Sequence, residues 1–197
     1  MTQLIFATGN KNKMVEIREI MDENEFEILS MKEANVVAEP EENGETFEEN
    51  ALIKARAVAE LAPGAYVMAD DSGLEIDYLG KEPGVHSARF MGHDTPYDVK
   101  NAALLEKLKG VPKEKRTARF VCAVACVTPE GEEHVVRGTI EGYIGEEPQG
   151  ENGFGYDPIF YVDEYGCSTA TLAPAEKNAI SHRGKALRAM RDIIKSK

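Results

Sequence analysis

The chain has 197 residues, 42% of them hydrophobic, and a formal net charge of -12. That size and apolar content suit a single domain spanning 1–197, or two lobes sharing one sheet, and no apolar run approaches the ~20 residues that cross a bilayer. The acidic balance argues against a nucleic-acid polymer as partner, because phosphate backbones are held by basic faces; a small phosphorylated ligand, gathered by a few lysines and a metal, stays allowed.

Strand-like and helix-like segments alternate, which predicts an α/β fold. Residues 4–7 (Leu-Ile-Phe-Ala) read as a buried strand; with no signal-peptide hydrophobic region ahead of it, the protein is expected in the cytoplasm. Residues 12–21 read as a helix burying Met14, Ile17 and Met21. The turn between them, Thr8-Gly9-Asn10-Lys11-Asn12-Lys13, pairs a glycine that lets backbone approach a ligand with a helix N-terminus that favours anions. It has neither P-loop nor dinucleotide-fingerprint spacing, and such a segment alone is more often a plain turn.

An acidic loop follows, with Glu39, Glu41, Glu42, Glu45, Glu48 and Glu49; most of these suit solvent or a helix N-terminus, and one can reach a metal. Thr46 and Glu49 form a capping box for a helix over 51–61, which Pro63-Gly64 stops. Residues 65–69 read as a strand ending in the carboxylates Asp70 and Asp71 and the turn residues Ser72-Gly73. Open α/β sheets place ligand crevices at strand ends, and paired carboxylates suit Mg²⁺, which takes oxygen ligands and shares itself with substrate phosphates. A solvated turn explains the tetrapeptide equally well.

Thr95-Pro96 predicts a helix start with Pro96 at the first position and Ala102, Leu105 and Leu108 inward, followed by a surface stretch over 110–116. Residues 119–128 and 134–140 flank Pro129-Glu130-Gly131 as an antiparallel hairpin, making the sheet mixed. Cys122 and Cys126 share one face of the first of these strands and read as core; with Cys167 they make an odd set with no disulfide expected. A glycine-rich loop reaches Phe154-Gly155-Tyr156-Asp157, where a base can stack on a ring and a carboxylate can accept a purine N–H, or where the rings simply plug the core. A short strand at 159–162 follows. The last helix, 184–194, buries Leu187, Met190 and Ile194 and is preceded by Ser181-His182-Arg183, donors for a ligand carbonyl, although Ser181 equally suits an N-cap. A Ser-His-Asp triad is excluded, since adjacent Ser181 and His182 do not give nucleophile and base geometry and no G-x-S-x-G elbow exists.

In order, Thr8-Gly9-Asn10-x-x-Lys13, Thr46-Phe47-x-Glu49-Asn50-Ala51, Ala69-Asp70-Asp71-Ser72-Gly73-Leu74, Phe154-Gly155-Tyr156-Asp157-Pro158 and Ser181-His182-Arg183-Gly184-x-Ala186 resemble the inosine triphosphate pyrophosphatase, or Ham1-like, family over nearly the whole chain. The resemblance implies an elongated mixed α/β sheet flanked by helices, two lobes with a central active-site cleft, and a homodimer. It implies Mg²⁺-dependent hydrolysis of ITP, dITP and XTP to the monophosphate and pyrophosphate, a house-cleaning activity that keeps deaminated purines out of DNA and RNA. By position, Thr8, Gly9, Asn10, Lys11, Asn12 and Lys13 match the triphosphate-binding segment, with Lys54 assisting. Glu41, or by one position Glu42, matches one metal ligand, and Asp71 matches both a metal ligand and the proton acceptor. Ser72, Phe154, Gly155, Tyr156, Asp157, Lys177, His182 and Arg183 match substrate contacts, and Asp70 is left as support.

Phosphoanhydride hydrolysis asks chiefly for positioning and charge neutralisation. Preference for inosine and xanthosine over adenosine follows if donors such as His182 and Arg183 face the 6-carbonyl, since an amino group there leaves a buried donor unpaired at ~1–3 kcal/mol. The competing readings are a pyrophosphatase for other modified nucleotides, a nucleotide-binding regulator without turnover, and an acidic interaction module.

Overall fold

The computed structural model describes residues 2–21 and 25–197. Seven strands form one mixed sheet in the order β2-β1-β3-β4-β5-β6-β7. β1 (Thr2–Phe6) lies parallel to both β2 (Phe26–Ser30) and β3 (Tyr66–Ile76). Parallel neighbours need crossovers, supplied here by α1 (Lys11–Ile20) and α2 (Phe47–Ala59). β4 (Thr117–Val127) and β5 (Glu133–Ile144) are joined by a tight turn in which Thr128 N donates to Glu132 O, a link too short for anything but an antiparallel pair. β6 (Phe160–Val162) and β7 (Cys167–Ser168) continue antiparallel. Three further helices are α3 (Tyr97–Lys107), α4 (Pro174–Ile180) and α5 (His182–Lys195).

The chain divides into two compact units: the first takes the chain up to Ser72 with Cys122–Gly138 and His182–Lys197, the second Gly73–Val121 with Thr139–Ser181. Each has its own core. Leu4, Phe6, Ile17, Met68, Val124, Leu187 and Met190 fill the first, and Cys122 and Cys126 join them on one strand face as the four-residue spacing predicts. Leu74, Ile76, Leu104, Leu108, Ile144 and Phe160 fill the second. Burying such side chains stabilises by about 1.5–3 kcal/mol each before entropy is counted. In the first unit β5 meets the start of α5 backbone to backbone: a Cβ on Gly138 would stand 2.3 Å from His182 O and 2.8 Å from Ala186 N.

Several expectations change. β3 does not end before the carboxylates but runs through Asp70, Asp71, Ser72 and Gly73 to Ile76, so the tetrapeptide is strand and not turn. The apolar side chains Leu74 and Ile76 beyond it anchor that strand in the second core, and this burial overrides local turn preference. Pro96 is the N-cap of α3, and the helix turns Lys100, Asn101 and Leu104 inward while Ala102 is exposed. Arg116, in the expected surface stretch, is buried and donates to the carbonyls of Leu108, Ile144 and Gly145, closing the end of α3. β2 and α4 are too short to announce themselves by periodicity.

Candidate active site

In the first unit the chain leaves β1 with Ala7 N still donating to Met68 O at 2.7 Å, so the Thr8-Gly9-Asn10 turn stands at the carboxyl end of β1, beside the middle of β3. Asn10 caps α1, its Oδ1 accepting from Asn12 N and Lys13 N, and Thr8 Oγ1 accepts from Asn10 N. Open space surrounds Gly9, so packing does not demand a glycine there, while Lys11 and Asn12 are exposed. Lys13, on the first turn of α1, brings its Nζ to 3.0 Å from Asp70 Oδ2.

Asp70 is fully buried beneath cations. Its Oδ2 also lies 3.5 Å from both Nε and Nη2 of Arg183, whose guanidinium reaches the Glu16 carboxylate through Nη1 and donates to Ser72 Oγ at 3.0 Å through Nη2. Burial by itself raises the Asp70 pKa, but Lys13, Arg183 and Lys54 more than reverse this and hold the carboxyl well below the usual aspartate range. Cys122 Sγ lies 3.9 Å from the same oxygen; burial first, then the Asp70 charge, pushes the thiol up to about 12 and leaves it protonated and unreactive.

Asp71 meets a different environment. Its Oδ1 is 3.9 Å from Lys54 Nζ, and its Oδ2 is buried with no hydrogen-bond partner among the described residues. Burial dominates and raises its pKa, with Lys54 and Lys13 opposing and the Asp70 and Glu42 charges adding to the rise. Lys54 Nζ sits 3.0 Å from Glu42 Oε1; burial pulls its pKa down, but Asp70, Asp71 and Glu42 outweigh that and keep the ammonium charged. Asn50, one turn before Lys54 on α2, ties the acidic loop in place by accepting from Gly44 N at 2.8 Å and donating to Gly44 O.

Of the two adjacent acids, Glu42 therefore reaches the site, while Glu41 is exposed. Among the described residues no three carboxylate, imidazole or thiol groups converge as a ready-made metal cage. An unpartnered carboxylate oxygen on Asp71 with Glu42 across Lys54 nevertheless fits a hard cation that takes most of its ligands from water and phosphate.

The second unit holds Phe154, Gly155, Tyr156, Asp157 and Lys177. Asp157 is buried, and its oxygens accept from Phe154 N at 2.9 Å, Lys177 Nζ at 2.6 Å and Thr169 Oγ1 at 2.7 Å, so it knots the loop together. Gly153, at φ +70°, must be glycine: a Cβ there would meet Asp157 Oδ2 at 2.2 Å. Tyr156 is a core plug, its hydroxyl donating to Ser87 O at 2.6 Å and its ring edge-on to Tyr97. Phe154 is half-buried, with Lys177 Nζ 5.1 Å from its ring centroid.

Ser181 caps the end of α4, and His182 begins α5 in the first unit, buried, as is Arg183. Residues outside the sequence expectations also take part. Glu16 was signalled by an acid on the inward face of α1, next to Ile17; Thr169 and Asn101 carried no such mark.

A model of the Ham1 family matches residues 4–193. The chain is 48% identical over 195 residues to a dITP/XTP pyrophosphatase from Caldanaerobacter subterraneus subsp. tengcongensis, covering 98% of this chain and 96% of that protein. It is 47% identical over 196 residues to a dITP/XTP pyrophosphatase from Bacillus subtilis, with coverage of 100% and 98%. Among solved structures, a HAM1 protein from Coxiella burnetii superposes with a TM-score of 0.88 at 38% identity, covering 100% of both chains.

Proposed function

This chain belongs to the Ham1 family, and from that membership we propose that it is a pyrophosphatase for non-standard purine nucleoside triphosphates. It hydrolyses ITP, dITP and XTP to the monophosphate and pyrophosphate, and so clears deaminated purines before a polymerase incorporates them. The observation that carries the reading is the divergence of two adjacent carboxylates, Asp70 held ionised under cations and Asp71 raised by burial with one oxygen unpartnered. Environments that push neighbouring acids apart are how one site assigns a base and a support.

Asp71 orients the attacking water and takes its proton, a task for which a raised carboxyl is better suited than an ordinary one. Lys13 and Lys54 face the phosphates; an ammonium has three N–H groups, and the ion pair of Lys13 with Asp70 and those of Lys54 with Glu42 and Asp71 still leave donors to give. Ser72 accepts on Oγ from Arg183, so its own O–H is directed to another acceptor, proposed to be a phosphate oxygen. A Mg²⁺ ion held by Asp71 and Glu42, with phosphate and water completing its shell, would neutralise charge on the departing pyrophosphate. The Phe154 ring stacks on the base. Arg183 acts through Asp70 and Ser72, and His182 is the donor proposed for the purine 6-carbonyl, where an adenine amino group would leave it unpaired at ~1–3 kcal/mol.

A nucleotide-pool enzyme works in the cytoplasm, the location proposed here; among the described residues no helix is long and apolar enough to cross a membrane. A homodimer is part of the same proposal, tested by sedimentation. The central experiment is a panel of ITP, dITP, XTP, ATP, GTP and modified pyrimidine triphosphates with pyrophosphate detection. Fast pyrophosphate release from the first three is expected. Equal rates across the panel, or orthophosphate as the direct product, would overturn the reading.

A further inference from the structure

The loop presenting Phe154 is held in part by its own turn, in which Asp157 N donates to Phe154 O at 3.3 Å. Gly153 and Gly155, at φ +70° and +64°, flank the phenylalanine, and residues without a Cβ leave the adjoining peptide planes weakly constrained. Beyond that turn bond, two side chains tie the planes on either side. On one side Phe154 N donates to Asp157 Oδ2 at 2.9 Å. On the other, Asn101 of α3 donates through Nδ2 to Gly155 O at 3.1 Å. One turn earlier on the same helix, Tyr97 stands edge-on to Tyr156 with centroids 5.1 Å apart, and Lys100 beneath that ring donates to Ala88 O at 2.8 Å, so the helix supporting Asn101 is itself anchored.

Asn101 is 4% exposed, and its Oδ1 is buried with no hydrogen-bond partner among the described residues. For packing alone, an apolar side chain of that size would serve better, because an unsatisfied buried acceptor costs stability. What the amide supplies that leucine does not is the donor to Gly155.

We propose that Asn101 is a specificity-determining positioning residue whose amide, by holding the Gly155 carbonyl, fixes the Phe154 ring on which the purine stacks. The proposal rests on the reading of Phe154 as the base platform. A ring that wanders lets the stacked base take several orientations, so loosening the platform weakens binding and blurs base choice.

The test compares Asn101→Leu, Asn101→Asp and Asn101→Gln in the full chain. Leu keeps the volume and removes both the donor and the unpartnered acceptor, so the thermal midpoint is expected to stay close to wild type. Its KM for ITP rises about tenfold, kcat stays within about twofold, and the preference for ITP over ATP in kcat/KM falls several-fold. Asp, which keeps the shape but cannot donate when ionised, gives the same pattern and carries the test if the Leu variant does not fold. Gln, with its donor on a longer arm, recovers part of the loss. Unchanged KM and preference in a folded Leu or Asp variant, or a fall in kcat that merely follows the thermal midpoint, would overturn the proposal. A wild type that releases no pyrophosphate from ITP would instead overturn the parent reading, and this one with it.

Discussion

Strand alternation turns Asp70 and Asp71 to opposite sides of β3, and each takes its character from what it meets there. Asp70 has its folded pKa lowered, so its ionised form contributes stability above the ordinary aspartate range, and that contribution is lost only as pH falls through the depressed value. Asp71 has its folded pKa raised, so the protonated form is favoured, and stability is lost as pH rises through the raised value. In chelator-treated protein at neutral pH, thermal melts should therefore move in opposite directions: Asp70→Asn takes the buried carboxylate away from Lys13 and Arg183 and costs about 3–5 kcal/mol, whereas Asp71→Asn raises the midpoint. Turnover by Asp71→Asn should fall at least ~10²-fold in a protein that still folds and melts cooperatively. Normal turnover in that variant would remove Asp71 as the base. The pair was legible in the sequence, and the family resemblance already divided it into Asp71 and a supporting Asp70, but the physical cause of that division was not, because the cations over Asp70 come from α1 and α5. The same limit hid the Glu42–Lys54 ion pair and the commitment of Arg183 to Glu16, Asp70 and Ser72.

At the level of elements, local chemistry was read well wherever it acts locally. Thr46 Oγ1 accepts from Glu49 N as a capping box requires, although the Glu49 carboxylate returns to Glu45 N, one residue upstream of the amide expected. The helices α1, α2 and α5 and the β4–β5 hairpin followed from period and turn residues. What failed was non-local: the continuation of β3 through Asp70 to Ile76, and the short β2. Gly138 belongs to the same class, an ordinary strand glycine until α5 is laid against it. Gly138→Ala should cost about 1–3 kcal/mol by forcing β5 away from the first turn of α5, seen as a lower midpoint in urea titration. An unchanged midpoint would mean the strand shifts freely.

Across the whole molecule, the mixed α/β class was legible from alternating elements, but the strand order was not, since strand neighbours are chosen by tertiary packing. Charge gives a further molecular property. A chain of net charge -12 surrounds a site in which Lys13, Lys54 and Arg183 already face Asp70, Asp71, Glu42 and Glu16, leaving no surplus positive charge for a triphosphate. ITP should therefore raise the thermal midpoint strongly with Mg²⁺ and hardly at all with chelator, because only a ligand that binds the folded state stabilises it. Equal stabilisation in both would show that the protein's own cations suffice.

The ion pair between Asp157 and Lys177 also bears on inhibitor chemistry. An analogue given an ammonium to capture that carboxylate would have to displace Lys177, losing one ion pair to make another. The half-buried Phe154 ring beside it asks for a flat, polarisable surface, so affinity there is better sought by extending an aromatic system than by adding charge.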